Sequence, residues 1–183
     1  MGNRILKTGL MAVVLALTTL TFTTPHHARA QVSGQAFEGF RANSNDPVQI
    51  EADELEVIDA QAKAVFKGNV KVRQGSSVIT TSRLVVEYKR GTAGANGQGD
   101  IDRLIMTGGL IVTSKENTVT ADKGTYNVPT EKVVLEGNIV ISQGENIASG
   151  CKLLADLKTN QATLAACKSG GRVSTVFKPG ANR

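Results

Sequence analysis

Phe66-Lys-Gly-Asn-Val-Lys-Val72, Met106-Thr-Gly-Gly-Leu-Ile-Val112 and Leu135-Glu-Gly-Asn-Ile-Val-Ile141 are three versions of one pattern. Apolar side chains recur at alternate positions, as Phe66, Val70 and Val72 do against Lys67, Lys71 and Arg73. That period of two is what a strand with one buried face requires. Glycine inside such a run has no side chain to pack and marks a bulge or a sharp bend. The pattern predicts three strands, each bent at its Gly-Asn or Gly-Gly pair. Lys168-Ser-Gly-Gly-Arg-Val173 reads as a degraded fourth copy.

Around this unit lies a longer repeat. Residues 50–88 align without a gap on residues 119–157, at an offset of 69. Turn and apolar positions coincide in one register, with identities that include Ala52/Ala121, Asp53/Asp122, Gly68/Gly137, Asn69/Asn138, Gly75/Gly144 and Leu84/Leu153. Turn signals separate the strands at Asp59-Ala60-Gln61, Gln74-Gly75-Ser76, Asn127-Val128-Pro129-Thr130 and Gln143-Gly144-Glu145-Asn146. Short strands at this spacing, with no amphipathic helix between them, predict an all-β antiparallel sandwich, barrel or roll. The glycine-rich stretch 91–99 lacks a Lys-Ser/Thr pair after it, so it reads as a flexible connection and not as a phosphate-cradling loop.

The first thirty residues have a different character. Arg4 and Lys7 precede an apolar run over residues 9–20, which is too short to cross a bilayer as a helix. Ala28-Arg29-Ala30 follows, with small residues where a signal peptidase cuts. Residues 1–30 are therefore expected to be a cleaved signal peptide, which leaves 153 residues, enough for one domain. Residues 31–46 and 180–183 carry few strand signals and are expected to be flexible ends. The leader takes with it three bases, no acid and both histidines, His26 and His27, so the formal charge falls from +5 to +2. A body with that charge gives no reason to expect nucleic acid as a partner. Without histidine it also lacks the side chain best suited to acid–base chemistry at neutral pH and the commonest metal ligand. We expect no enzyme, no cofactor and no metal site.

Cys151 and Cys167 remain after the leader, and an exported chain enters an oxidising compartment. A hairpin turning over Lys158-Thr159-Asn160 would pair Leu157 with Gln161 and set Cys151 opposite Cys167. Opposed residues have close Cβ atoms, so a structural disulfide is expected.

Strand parity gathers Ile50, Phe66, Val70, Val72, Leu84, Val86, Met106, Leu110, Val112, Leu135, Ile139, Ile141 and Leu153 on one face. Such a face is either a closed core or an open apolar groove, and periodicity does not separate the two. Here a resemblance adds information. Asp46-Pro-Val-Gln-Ile-Glu-Ala-Asp53, then Ala64-Val-Phe-Lys-Gly-Asn-Val-Lys-Val-Arg-Gln-Gly75, Leu135-Glu-Gly-Asn138 and Gly171-Arg-Val-Ser-Thr-Val-Phe-Lys-Pro179 resemble, in order and spacing, the OstA-like family of periplasmic lipopolysaccharide-transport proteins. The likeness runs from about Asp46 to Pro179, with the domain expected over residues 47–179. It departs from the family pattern at the cysteine pair and the glycine-rich connection.

The resemblance implies a twisted antiparallel β-jelly roll, built from an internal repeat and open at both ends. It implies a periplasmic bridge that binds lipopolysaccharide by its lipid A acyl chains. Such a bridge carries lipopolysaccharide from an inner-membrane export complex, docked at the N-terminal edge, to an outer-membrane translocon at the C-terminal edge, with head-to-tail self-association. Lipid-facing positions carried over from the family are Val48, Ile50, Val112, Tyr126 and Val128; parity adds Phe66 and Leu135. The alternative is an exported polysaccharide-binding or structural β-repeat protein. Sugar sites stack on aromatic rings, yet the chain has no Trp and two Tyr, Tyr88 and Tyr126. A catalytic pair made of Asp53 and Asp122 is disfavoured, because equivalent repeat positions suit a repeated turn better than one active site.

Overall fold

The structure is a computed structural model and describes residues 46–91, 100–168 and 171–178. The expected leader over 1–30, nearly all of the 31–46 segment, the 180–183 tail, residues 92–99 of the glycine-rich connection, and Ser169 and Gly170 of the degraded fourth copy lie outside the described residues. Ten strands follow one another: β1 (Gln49–Glu51), β2 (Glu54–Ile58), β3 (Lys63–Gln74), β4 (Ser77–Tyr88), β5 (Ile101–Ser114), β6 (Asn117–Asn127), β7 (Lys132–Gln143), β8 (Asn146–Asp156), β9 (Gln161–Ala165) and β10 (Ser174–Val176). The long repeat is visible in these bounds. Shifted by 69, β3 coincides with β7 end to end, β4 overlays β8, and the split pair β1 and β2 overlays the unbroken β6. A 3₁₀ turn at Asp59–Gln61 joins β2 to β3. Among the described residues no helix is long and apolar enough to cross a membrane.

Every pairing is antiparallel. The ladder runs β1-β3-β4-β5-β6-β7-β8-β10, with β2 beside β1 on β3 and β9 beside β10 on β8. The sheet does not close, so β1 and β2 form one edge and β9 and β10 the other. In the middle of each ladder the register slips, between Lys67 and Val70, Thr107 and Leu110, and Glu136 and Ile139. Those slips fall on the Gly-Asn and Gly-Gly pairs read from the sequence. Gly68, Asn69, Gly108, Gly109, Gly137 and Asn138 all have positive φ, a region open to glycine and tolerated by asparagine.

The line of bulges divides the sheet into two halves. Half I holds β2, β9 and the segments 63–67, 83–88, 101–107, 123–127, 132–136 and 152–156; half II holds β1, β10 and the remaining halves of β3 to β8. Leu84, Met106 and Leu135 of half I and Val112, Val119 and Ile141 of half II are all buried in one cluster. No second sheet is present among the described residues to cover that face. It is buried because the sheet folds along the bulges and packs on itself, the twisted jelly roll expected. Gly124 shows how closely the halves meet, since a Cβ there would lie 2.7 Å from Leu110 Cδ2 of half II.

The expected hairpin register needs correction. Asp156, not Leu157, pairs with Gln161, so the turn has four residues and Leu153 faces Leu164. Both leucines are buried, at 0 and 9 % exposed, whereas Leu154 is 48 % exposed on the other face. The expected register would have set Leu164 against Leu154. A one-residue slip turns a strand over, so matching the buried faces outweighs a shorter turn. The disulfide forms all the same: β9 ends at Ala165, and beyond it Cys167 comes within 4.7 Å of Cys151, Cα to Cα.

Asp156 caps this turn, its Oδ1 accepting from the backbone N–H groups of Lys158 at 3.0 Å and Thr159 at 3.1 Å. The N–H of Thr159, followed by that of Lys158, holds its carboxyl below the ordinary value of 3.8. A lowered native pKa means the ionised form supports the fold. Its contribution is present above the ordinary value and lost as pH falls through the native one. The melting temperature of the protein should therefore drop more steeply below about pH 4 than that of Asp156→Asn, which keeps an acceptor but does not titrate. Parallel acid limbs in melts from neutral to strongly acidic pH would refute the role of this carboxylate.

Candidate functional site

The apolar interior between the two half-sheets is the feature with the greatest reach in the molecule. It is lined by successive cross-strand rows. One runs Phe66–Leu84–Met106–Gly124–Leu135–Leu153–Leu164 in half I, and another Ile50–Val72–Ile79–Val112–Val119–Ile141–Ala148 in half II. Six of the seven sequence-predicted residues belong to this cluster or pack against it, at different depths, and Val48 does not. Val112, Tyr126 and Leu135 are fully buried, at 1, 1 and 0 % exposed. Ile50, Phe66 and Val128 are half-buried against the cluster, and Val48 is exposed. The centre is thus a packed core, and the half-buried residues form its margin.

Leu55 and Val57 were missed by the sequence reading. They lie opposite Phe66 and Ala64 on β2, at the inner face of the N-terminal edge, and stand 56 and 53 % exposed. The repeat held the signal: at an offset of 69 they fall on the buried Gly124 and Tyr126. At the opposite edge Ala162 and Val173 are the half-buried members of the margin, and Tyr88, Leu104 and Val128 complete it at the free end of half I. Burial raises the pKa of Tyr88, so its hydroxyl stays neutral.

Asp53, between β1 and β2, and one residue on each of β4, β6 and β8 face a two-residue bulge on a neighbouring strand, and these residues form a polar seam along the fold line. Asn69 Nδ2 donates to Asp53 Oδ2 at 2.9 Å, Ser82 Oγ donates to the carbonyl of Gly108 at 2.6 Å, and Asn138 Nδ2 donates to both oxygens of Asp122, at 3.0 and 3.2 Å. At the last position the seam is covalent, since Cys151 occupies the repeat equivalent of Ser82 and is bonded to Cys167. Asp53 and Asp122 sit in separate repeats, each committed to its own asparagine, which is the repeated corner the sequence suggested.

The outer face of half I is charged. Lys67 contacts Glu54 at 3.0 Å and Glu56 at 2.9 Å, Lys63 contacts Glu87 at 3.1 Å, and Lys123 contacts Glu136 at 2.8 Å. The ammonium of Lys67, through its hydrogen bond, holds Glu56 below its ordinary value, and Lys123 does the same for Glu136. These pairs are exposed and screened by water, so they keep the face soluble more than they hold the fold. Beside the seam, on the outer side of half II, lies an open trough of about 610 Å³ bordered by Asn69, Ser82, Gly108, Gly109, Asp122 and Asn138.

Comparison with known proteins agrees with this architecture. Residues 49–161 match the family described as LptA/(LptD N-terminal domain) LPS transport protein. A protein of Rhizobium meliloti (strain 1021) is 36% identical over 154 residues, covering 83% of this chain and 82% of that one. A protein of Rickettsia prowazekii (strain Madrid E) is 27% identical over 117 residues, covering 62% of this chain and 78% of its own. Among solved structures, LptH of Pseudomonas aeruginosa, the LptA-homologous periplasmic component of its lipopolysaccharide transport device, superposes with a TM-score of 0.60. It is 22% identical, and the match covers 73% of this chain and 96% of that structure, a likeness that establishes the fold. A family match over most of the folded body, with a jelly roll bent at its repeated glycines, means that this chain belongs to the LptA/(LptD N-terminal domain) family of LPS transport proteins.

Proposed function

We propose that this protein is a periplasmic bridge that holds the acyl chains of lipopolysaccharide between its two half-sheets and passes the lipid from an inner-membrane export complex to an outer-membrane translocon. The observation that carries the reading is the apolar interior, which runs from the β1/β2 edge to the β9/β10 edge with a margin of half-covered apolar side chains along it. Acyl chains gain about 0.8 kcal/mol for each CH₂ removed from water. The centre is tightly packed, so lipid enters as the halves part along the seam and apolar contacts between them are exchanged for contacts with acyl chains. Residues at the margin, Ile50, Phe66 and Val128, with Val48, Leu55 and Val57 at the edge, meet the lipid first; Val112, Tyr126 and Leu135 meet it when the halves have opened. Family membership and the predicted leader favour the periplasm as its place. Transfer in one direction requires an energy source elsewhere in the chain of carriers.

The edges suit end-to-end contact. Among the described residues each of β1 and β10 pairs with one neighbour, which leaves its other side able to extend the sheet into a like-folded partner. In this reading β1 receives the inner-membrane partner and β10 meets the outer-membrane one, and β10 of one copy can join β1 of the next in head-to-tail self-association. A photocrosslinking side chain at Phe66 or Val128 should capture lipopolysaccharide in cells, whereas one at Lys71, on the opposite face of β3, should not. Equal capture at all three positions would overturn the interior as the lipid path.

A further inference from the structure

The two halves of the outer surface differ in chemistry. Half I is charged, as described above. On half II, between the seam and the turns, the outward positions from β4 across to β10 are threonine, serine, valine and isoleucine, bordered by the charges of Asp122 in the seam and of Lys71 and Arg73 on β3. Four apolar side chains there are open to water: Ile111 at 47 %, Val140 at 40 %, Ile147 at 45 % and Val176 at 60 % exposed. Ile147 and Val176 are direct cross-strand partners. The trough beside the seam opens onto the same face and is bordered by Ile111, Thr80 and Thr120. A Cβ at Gly109 would meet nothing within 4 Å, so the floor there is bare backbone with room above it.

These four side chains lie in two neighbouring outward rows on an uncharged surface, and exposed apolar side chains gathered on one face mark a place where something docks. We propose that residues 31–45 of the same chain cover it, with Phe40 seated over Ile111 and Phe37 over Val140. The segment suits the face in charge, since it contains one acid, Glu38, and one base, Arg41. It also supplies two of the five phenylalanines of the chain. Its point of attachment fits as well. Asp46 lies at the half II end of β3, its carbonyl accepting from Gln74 Nε2 at 3.2 Å. Phe40 lies six positions before Asp46 and Phe37 nine, which allows spans of up to about 20 and 30 Å. At 4.8 Å per strand, β5 and β7 lie about 14 and 24 Å from β1. A second copy of the chain fits less well: two rows of side chains across six strands offer roughly 400 Å², about half of what each partner in a stable interface buries. Docked in this way, the segment shields the apolar patch and holds β1, which has three ladder pairs, against β3.

The test places a photocrosslinking amino acid at Phe40, and separately at Phe37, in the full-length chain, expressed so that it is exported and purified as one equal mixture of light and ¹⁵N-labelled molecules. Crosslinked peptides should be purely light or purely heavy, and should join position 37 or 40 to β5 or β7 of half II about tenfold more often than to the charged half I. Ile111→Lys with Val140→Lys, both outward, should cut that yield about tenfold, the factor given by about 1.4 kcal/mol. Mixed-isotope crosslinks on this face would make a second copy the occupant and overturn the proposal. So would equal labelling of both halves, no crosslink to half II, or a yield unchanged in a double variant that melts like the parent. If the double variant does not fold, the isotope pattern of the parent decides alone.

Discussion

Gly137→Ala is expected to destabilise the protein by about 2–3 kcal/mol, lowering its melting temperature by roughly 5–10 °C. Two effects combine. Gly137 has a φ of +77°, which costs a residue with a Cβ about 1 kcal/mol. In addition, the new Cβ would run into the carboxylate of Asp122, which is held in place by Asn138. Either the bulge or the carboxylate has to move, and moving the carboxylate gives up a hydrogen bond worth about 1 kcal/mol. Gly109→Ala separates the two effects: its φ is +86° but nothing lies within 4 Å of the added atom, so only the conformational cost of about 1 kcal/mol should appear. A double-mutant cycle with Asp122→Ala isolates the clash, and the double variant should lose less than the sum of the two single losses. Equal melting temperatures for the Gly137 and Gly109 variants would show that the carboxylate does not restrain the fold line. Gly68, facing Asp53 in the first repeat, should behave like Gly137.

Replacing both cysteines, Cys151→Ser with Cys167→Ser, should remove about 3 kcal/mol, the loop-closure entropy of a cross-link spanning about sixteen residues. The cross-link lies between the pairing of β8 with β9 and its pairing with β10, at the point where the chain leaves one to reach the other. β10 itself has three ladder pairs and mostly exposed side chains, so little else holds it. The loss should therefore be visible locally as well as globally, with amide exchange accelerated in residues 171–178 well before it changes in β5 or β6. Reductant should bring the parent protein down to the variant and leave the variant itself unmoved. A parent insensitive to reductant, or uniform acceleration of exchange along the chain, would contradict the role of the disulfide as a fastener of the C-terminal edge. In the proposed function that edge is the delivery end, so the same variant tests whether delivery needs β10 held in place.

The three glycine-centred copies and the offset of 69 were enough to place β3, β5 and β7, their bends and the turns between them, because each depends on residues close together in the chain. Alternation names the buried face wherever a strand has neighbours on both sides, and a positive φ selects Gly or Asn whatever surrounds it. The cysteine pairing was also legible, since a hairpin brings near neighbours together under either register. Other features depended on contacts between residues far apart. The slip that sets Leu153 against Leu164 follows from the match of two buried faces across the folded sheet. Leu55 and Val57 carry an inward-facing pattern, yet they stay exposed because β2 is an edge strand and no further strand covers them. Whether Val112, Tyr126 and Leu135 line a groove or fill a core was equally beyond the pattern, because alternation records which side a residue faces and not how near the opposite half-sheet lies. The sequence by itself determined a bent, repeated β-sheet with one apolar face, because local spacing dictates strand, bend and side. Only the tertiary structure decided that this face closes into a packed centre with an accessible margin, because the gap between the halves is set by side chains meeting across it, as Leu110 meets Gly124.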